Sequence, residues 1–131
     1  MVITHSTSTP YRTRFSVSGH EAYADASEAK GGAGAGFGPH ALLETSVACC
    51  MNIWLRMYAD KNGIPLREVV ANVRLNRQSP AETVFEYSVD LRGELTADQR
   101  HELRQQLVNC PVSQTLLKRI SFRDVSTGEE S

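Results

Sequence analysis

Residues 40–61, HALLETSVACCMNIWLRMYADK, constrain the fold more than any other part of the chain. They lie between Gly38-Pro39 and Asn62-Gly63, with Pro65 just beyond, and these are the start and stop signals of one long helix. The segment is apolar almost all the way round. Glu44, Asn52 and Arg56 fall on a single line at i, i+8 and i+12, with Ala48 completing the four-residue steps. A helix with so narrow a polar stripe is buried on most sides. In a chain of 131 residues, one domain's worth, the cover must come from a sheet or from a partner subunit.

The rest of the chain supplies sheet. Tyr11, Thr13, Phe15 and Val17 alternate with Arg12, Arg14 and Ser16, the period of a half-buried strand. Ser18-Gly19 is a turn signal, and a short second strand follows through Ala22-Tyr23-Ala24. Residues 67–77 and 83–93 alternate in the same way, through Val69, Ala71, Val73 and Leu75, then Phe85, Tyr87, Val89 and Leu91. Their short linker contains Pro80, which predicts an antiparallel hairpin. Thr96 with Gln99 is a capping box, opening a helix to about Val108. Pro111 starts a further helical stretch, and SFRDV at 121–125 predicts a last short strand. Strands and helices without regular alternation give an α+β fold in a single domain, 1–131, with flexible ends at 1–10 and 123–131.

Charge and composition exclude several classes. The net charge is −1 with no basic stripe, so no nucleic-acid partner is expected. No apolar run reaches the length of a membrane span, and MVITHSTSTP lacks the apolar stretch of a leader, so the expectation is a cytoplasmic protein. The glycine-rich stretch GGAGAGFGP at 31–39 has no Lys-Ser or Lys-Thr after its last glycine and lacks a dinucleotide register. It reads as a linker that lets the helix start deep in the core. The four histidines are scattered and no CxxC or HExxH occurs, so no metal and no organic cofactor is expected.

Three cysteines remain, two of them adjacent in VACCMNIW. Neighbours on a helix point about 100° apart. Cys50 then joins the apolar stripe Leu43, Val47, Cys50, Trp54 and Met57, and Cys49 falls on the flank of the polar line. On the helix alone Cys50 reads first as a small buried hydrophobe. Cys110 shifts the balance. It precedes Pro111 and so takes the N-cap position, where Ser, Thr, Asp and Asn cap better and where a thiolate is favoured. That motivates a redox reading, in which a central-helix cysteine meets a helix-capping one.

The glycine-rich loop, GPHALLETSVACC, the hairpin and NCPVSQTLLKRI together resemble the OsmC/Ohr superfamily over residues 11–122. In that pattern a cysteine lies eleven residues after the helix-opening proline, and a second about sixty residues later; Pro39, Cys50 and Cys110 match. The resemblance implies an intertwined α+β homodimer, with long central cysteine-bearing helices against antiparallel sheets and active sites at the subunit interface. It implies a cysteine-based peroxidase for organic hydroperoxides in oxidative-stress defence. Cys50 would become a sulfenic acid, Cys110 would resolve it to a disulfide, and an external dithiol would reduce that. The hydroperoxide-reductase branch has a glutamate directly after the proline, paired with an arginine that holds the thiolate. Here that position is His40, with Glu44 one turn later and Arg12 and Arg14 as arginine candidates. The chain therefore resembles the broader OsmC-like group. The alternative is an OsmC-like dimer without significant peroxidase activity, a thiol redox sensor or a binder of an apolar ligand walled by Phe37, Trp54 and Met57.

Overall fold

The structure, a computed structural model, describes residues 1–126. Strands β1 (Ile3–Ser6), β2 (Thr13–Val17) and β3 (His20–Ala24) form an antiparallel sheet in that order. A loop with a short 3-10 turn (Glu28–Lys30) leads to helix α1 (Pro39–Asn62). Strands β4 (Leu66–Asn76) and β5 (Val84–Gly93) then pair as a second antiparallel sheet. Helix α2 (Ala97–Gln105), a 3-10 turn (Gln106–Asn109) and helix α3 (Pro111–Leu116) close the fold. This is the α+β arrangement that the alternation predicted, with the hairpin and the long helix in place.

Local signals set the ends of α1. Gly38 is the N-cap with Pro39 in the first turn, where the missing N–H costs nothing. Gly63 ends the helix at φ 64°, and its N–H donates to the Ala59 carbonyl. A side chain at that φ would be strained, so glycine is the natural stop. The Thr96–Gln99 capping box forms as expected, although the α-helix ends at Gln105 and the chain tightens into a 3-10 turn before Cys110.

The core lies wholly between residues 47 and 110. Along α1 it consists of Val47, Met51, Leu55 and Ala59, one row at four-residue steps, joined by Val69, Val89, Leu91, Leu103, Leu107 and Cys110. This corrects the stripe expected from the sequence. Cys50 and Trp54 are half-buried, and Leu43 and Met57 are exposed. The reason is that α1 meets two partners at different angles. The hairpin takes the Val47–Ala59 row, and the 102–112 segment takes Cys50, Trp54 and Tyr58. Leu55 is fully enclosed, so Leu55→Ala should cost about 2–5 kcal/mol.

The polar line of α1 also has a use the sequence did not reveal. The Glu44 carboxylate accepts the Leu75 N–H at 2.8 Å, and Arg56 donates to the carbonyls of Leu66 and Arg67. These residues satisfy β4 main-chain groups that β5 leaves unpaired, so the line seals a strand edge.

Three expectations need correction. The first ten residues, expected as a flexible end, carry β1, which pairs with β2. No strand forms at 121–125, where Phe122 is 99% exposed and has nothing to pair against. Of the expected flexible tail, 123–126 carry no regular structure and 127–131 lie outside the described residues. The glycine-rich segment is not a slack linker either. Asp25 is buried and its carboxylate collects the N–H groups of Ala26, Ala33 and Ala35. A Cβ on Gly32 would sit inside the Ala26 carbonyl, so the loop closes only with glycine there. α1 accordingly starts at the surface, not deep in the core.

No residue of the β1–β3 sheet belongs to the core. Its link to the body runs through Ala24 and Phe37, with Asp25 N–H donating to Phe37 O and Phe37 N–H to Tyr23 O. On α1 a matching row, Cys49, Ile53 and Met57, is uncovered, with Ile53 58% and Met57 60% exposed.

Candidate active site

The fold brings Cys50 and Cys110 together. Cys50 sits within one turn of the middle of the core row, on the α1 face that meets the C-terminal segment. Cys110 caps α3 and is wholly buried, at 0% exposure. The two side chains are neighbours, close enough that Cys110 and the Val112 main chain both act on the protonation of the Cys50 thiol. Both cysteines are free thiols, and a disulfide between them requires the sulfurs to close to bonding distance.

The environment of Cys50 favours the thiol over the thiolate. Burial pushes its pKa above the ordinary value, the hydrogen bond with Cys110 adds to this, and the Val112 N–H opposes it more weakly. Among the described residues no cation acts on Cys50.

Beside the pair lies a cavity of about 510 Å³, lined by Cys49, Cys50, Ile53, Trp54, Met57 and Val112. Its walls are apolar apart from the thiols and Ser46. An apolar molecule entering it would reach Cys50 but not the enclosed Cys110. Cys49 lines the cavity from the exposed side of the helix, about 100° from Cys50. Of the expected ligand walls, Trp54 and Met57 contribute, while Phe37 belongs to the loop after Asp25.

The other candidates are placed elsewhere. Glu44 is committed to Leu75. His40 is exposed in the first turn of α1. Arg12 lies near enough to Asp25 to lower its pKa, chiefly set by the Ala35 N–H, and its Nε is buried with no hydrogen-bond partner among the described residues. Arg14 is half-buried in β2, opposite Tyr23. Sequence reading missed Asp25 as the anchor of the loop. An aspartate just before a glycine-rich run was the available signal, since a carboxylate can gather several loop N–H groups at once. Among the described residues no group of three or more His, Cys, Asp or Glu is placed to hold a metal ion, and no helix is long and apolar enough to cross a membrane.

A long helix bearing Cys50, a hairpin along its side and Cys110 returned at the start of a short helix define an α+β dithiol protein. The chain belongs to the OsmC-like protein family, whose model matches residues 31–123. Solved structures share the fold. One is an osmotic stress induced and detoxification response protein from Psychrobacter arcticus, with TM-score 0.73 and 23% identity over 87% of this chain and 85% of that one. An OsmC-like protein from Mycoplasma pneumoniae gives 0.75 at 16% identity, covering 88% and 85%. An organic hydroperoxide resistance protein OsmC from Legionella pneumophila gives 0.63 at 18% identity, covering 89% and 88%. Among curated proteins, none matches significantly by sequence.

Proposed function

We propose that the chain is a cysteine-based peroxidase for organic hydroperoxides, working as a cytoplasmic homodimer. The observation that carries this reading is the Cys50 thiol on the wall of an apolar cavity, with the buried Cys110 as its neighbour. The Cys50 thiolate attacks one peroxide oxygen, the O–O bond breaks, and the alcohol leaves after taking a proton. Cys50 is then a sulfenic acid. Cys110 attacks the Cys50 sulfur, an S–S bond forms and water leaves. An external dithiol reduces the disulfide by exchange and departs as its own disulfide. An apolar cavity suits an alkyl or aryl peroxide better than hydrogen peroxide.

The raised pKa of Cys50 supports the dimer as part of this reading. Among the described residues of one chain no cation acts on the thiolate, while the β1–β3 sheet and the Ile53–Met57 face of α1 both lack cover. A second copy covering those faces would bring a β2 arginine to each Cys50. Arg14 fits better than Arg12, which acts on Asp25. The test is turnover of cumene hydroperoxide with a dithiol reductant, for the wild type and Cys50→Ser. Loss of turnover in the variant is expected, and equal rates would overturn the reading.

The same pKa gives a second reading its support. A largely protonated Cys50 that still forms the disulfide would make the chain a thiol redox sensor. That reading predicts a Cys50–Cys110 disulfide under mild oxidation with negligible turnover.

A further inference from the structure

Three contacts tie α1 to the 102–110 segment, and they follow one register. Cys50 meets Cys110, Trp54 meets Gln106, and Tyr58 meets Glu102. Each four-residue step forward on α1 is matched by a four-residue step back on the other segment. Residues four apart share one face of α1, so the redox pair is the end rung of a three-rung antiparallel ladder along that helix.

The rungs are not equivalent. Tyr58 Oη donates to Glu102 Oε1 at 2.6 Å, a bond between two side chains. The Trp54 Nε1–H donates to the main-chain carbonyl of Gln106 at 3.1 Å. Gln106 is the first residue of the 3-10 turn that runs into Cys110, and the Cys110 N–H closes that turn on the Leu107 carbonyl. A bond to this carbonyl therefore holds the backbone that carries Cys110. Leu103 and Leu107 pin the same segment to the core from its other face. The Trp54 ring is at once a wall of the cavity that opens on Cys50.

We propose that Trp54 is the positioning residue that holds Cys110 in register with Cys50 for disulfide formation. The proposal rests on the reading above that these two cysteines are the redox pair. A disulfide accepts only a narrow range of Cβ separations and torsions, so a segment held in register forms it more favourably than one free to slide.

The test is the thiol–disulfide equilibrium of the folded protein with dithiothreitol. Oxidised dithiothreitol takes the two thiol hydrogens of Cys50 and Cys110 and leaves as the dithiol while the protein S–S bond forms. Trp54→Phe keeps an apolar ring and removes the N–H. The constant for disulfide formation should fall about five- to tenfold, because the segment loosened in the reduced variant must be ordered again before the sulfurs meet, the scale of fixing about one residue's backbone. An unchanged constant in folded Trp54→Phe would overturn the proposal, because a purely structural role would lower the melting temperature without moving this equilibrium. A second measurement needs no variant. The chain has one tryptophan, so its indole N–H gives one resonance. That proton should be protected from exchange in both the reduced and the diamide-oxidised protein, and rapid exchange in either state would overturn the proposal. Neither measurement uses hydroperoxide. Failure of the peroxidase reading shows separately, as absence of sulfenic acid on Cys50 after hydroperoxide treatment.

Discussion

The Glu44 carboxylate accepts the Leu75 N–H at 2.8 Å, joining the helix that carries Cys50 to the far end of β4. A charged acceptor on a half-buried main-chain donor is among the stronger hydrogen bonds, and partial exposure reduces its net worth. Glu44→Ala should lose about 1 kcal/mol of stability, read as a lower urea midpoint at unchanged slope. No change in midpoint would mean that water replaces the carboxylate without cost.

Cys110→Ser should separate the two chemical steps. Cys50 still meets the peroxide, but its sulfenic acid has no thiol to condense with. Intact mass after cumene hydroperoxide should show sulfenic and then sulfinic acid in place of the disulfide. Turnover with a dithiol should fall at least tenfold. Undiminished turnover would assign resolution to another thiol, with Cys49 the remaining one in the chain.

The two sulfurs of the disulfide should differ sharply toward reductants. Cys110 is enclosed, while Cys50 lines the open cavity. A monothiol added to the oxidised protein should attack Cys50 and expel Cys110 as the leaving thiol, because exchange requires access to the attacked sulfur. Peptide mapping after rapid alkylation should find the mixed disulfide on Cys50. An adduct mainly on Cys110 would require the α3 end to open first.

Alkylation kinetics test the second copy. Burial and Cys110 raise the Cys50 pKa, so the reactivity of an isolated chain should climb only at pH values above the ordinary thiol range. An arginine from a partner favours the thiolate and moves the profile down. Arg14→Ala should then shift the iodoacetamide profile of the dimer to higher pH. A profile unmoved by this change, in a protein that remains dimeric, would exclude Arg14.

Asp25 sets an acid limit on the loop before α1. Its pKa is lowered, first by the Ala35 N–H and then by those of Ala33 and Ala26 and by Arg12, against the opposing effect of burial. A carboxylate with a depressed folded pKa stabilises the fold above its unfolded value, and that contribution fades as pH falls through the folded value. Wild-type stability should therefore decline below about pH 4. Asp25→Asn should be less stable at neutral pH and show a flatter acid limb, measured by thermal melts. Parallel acid limbs would remove Asp25 from the account.

Much of the architecture is written locally. Pro39 and Gly63 bound α1, the Thr96–Gln99 box starts α2, and alternation marks β4 and β5, because each signal acts through its own backbone or one strand face. The Pro39–Cys50–Cys110 spacing carried the family resemblance. Tertiary structure decided what periodicity cannot carry. Apolar residues surround α1, so nothing in the sequence told which row would face the hairpin, and the structure chose Val47–Ala59 over the row through Cys50. The polar line carried no partner in the sequence and in the fold bonds the main chain of β4, whose free donors and acceptors exist only once the sheet has formed. The expected strand at 121–125 had a pattern but no partner to pair with, and β1 had a partner although its pattern was unremarked. The rung from Trp54 to Gln106 spans fifty-two residues, a distance across which only the folded chain sets a register.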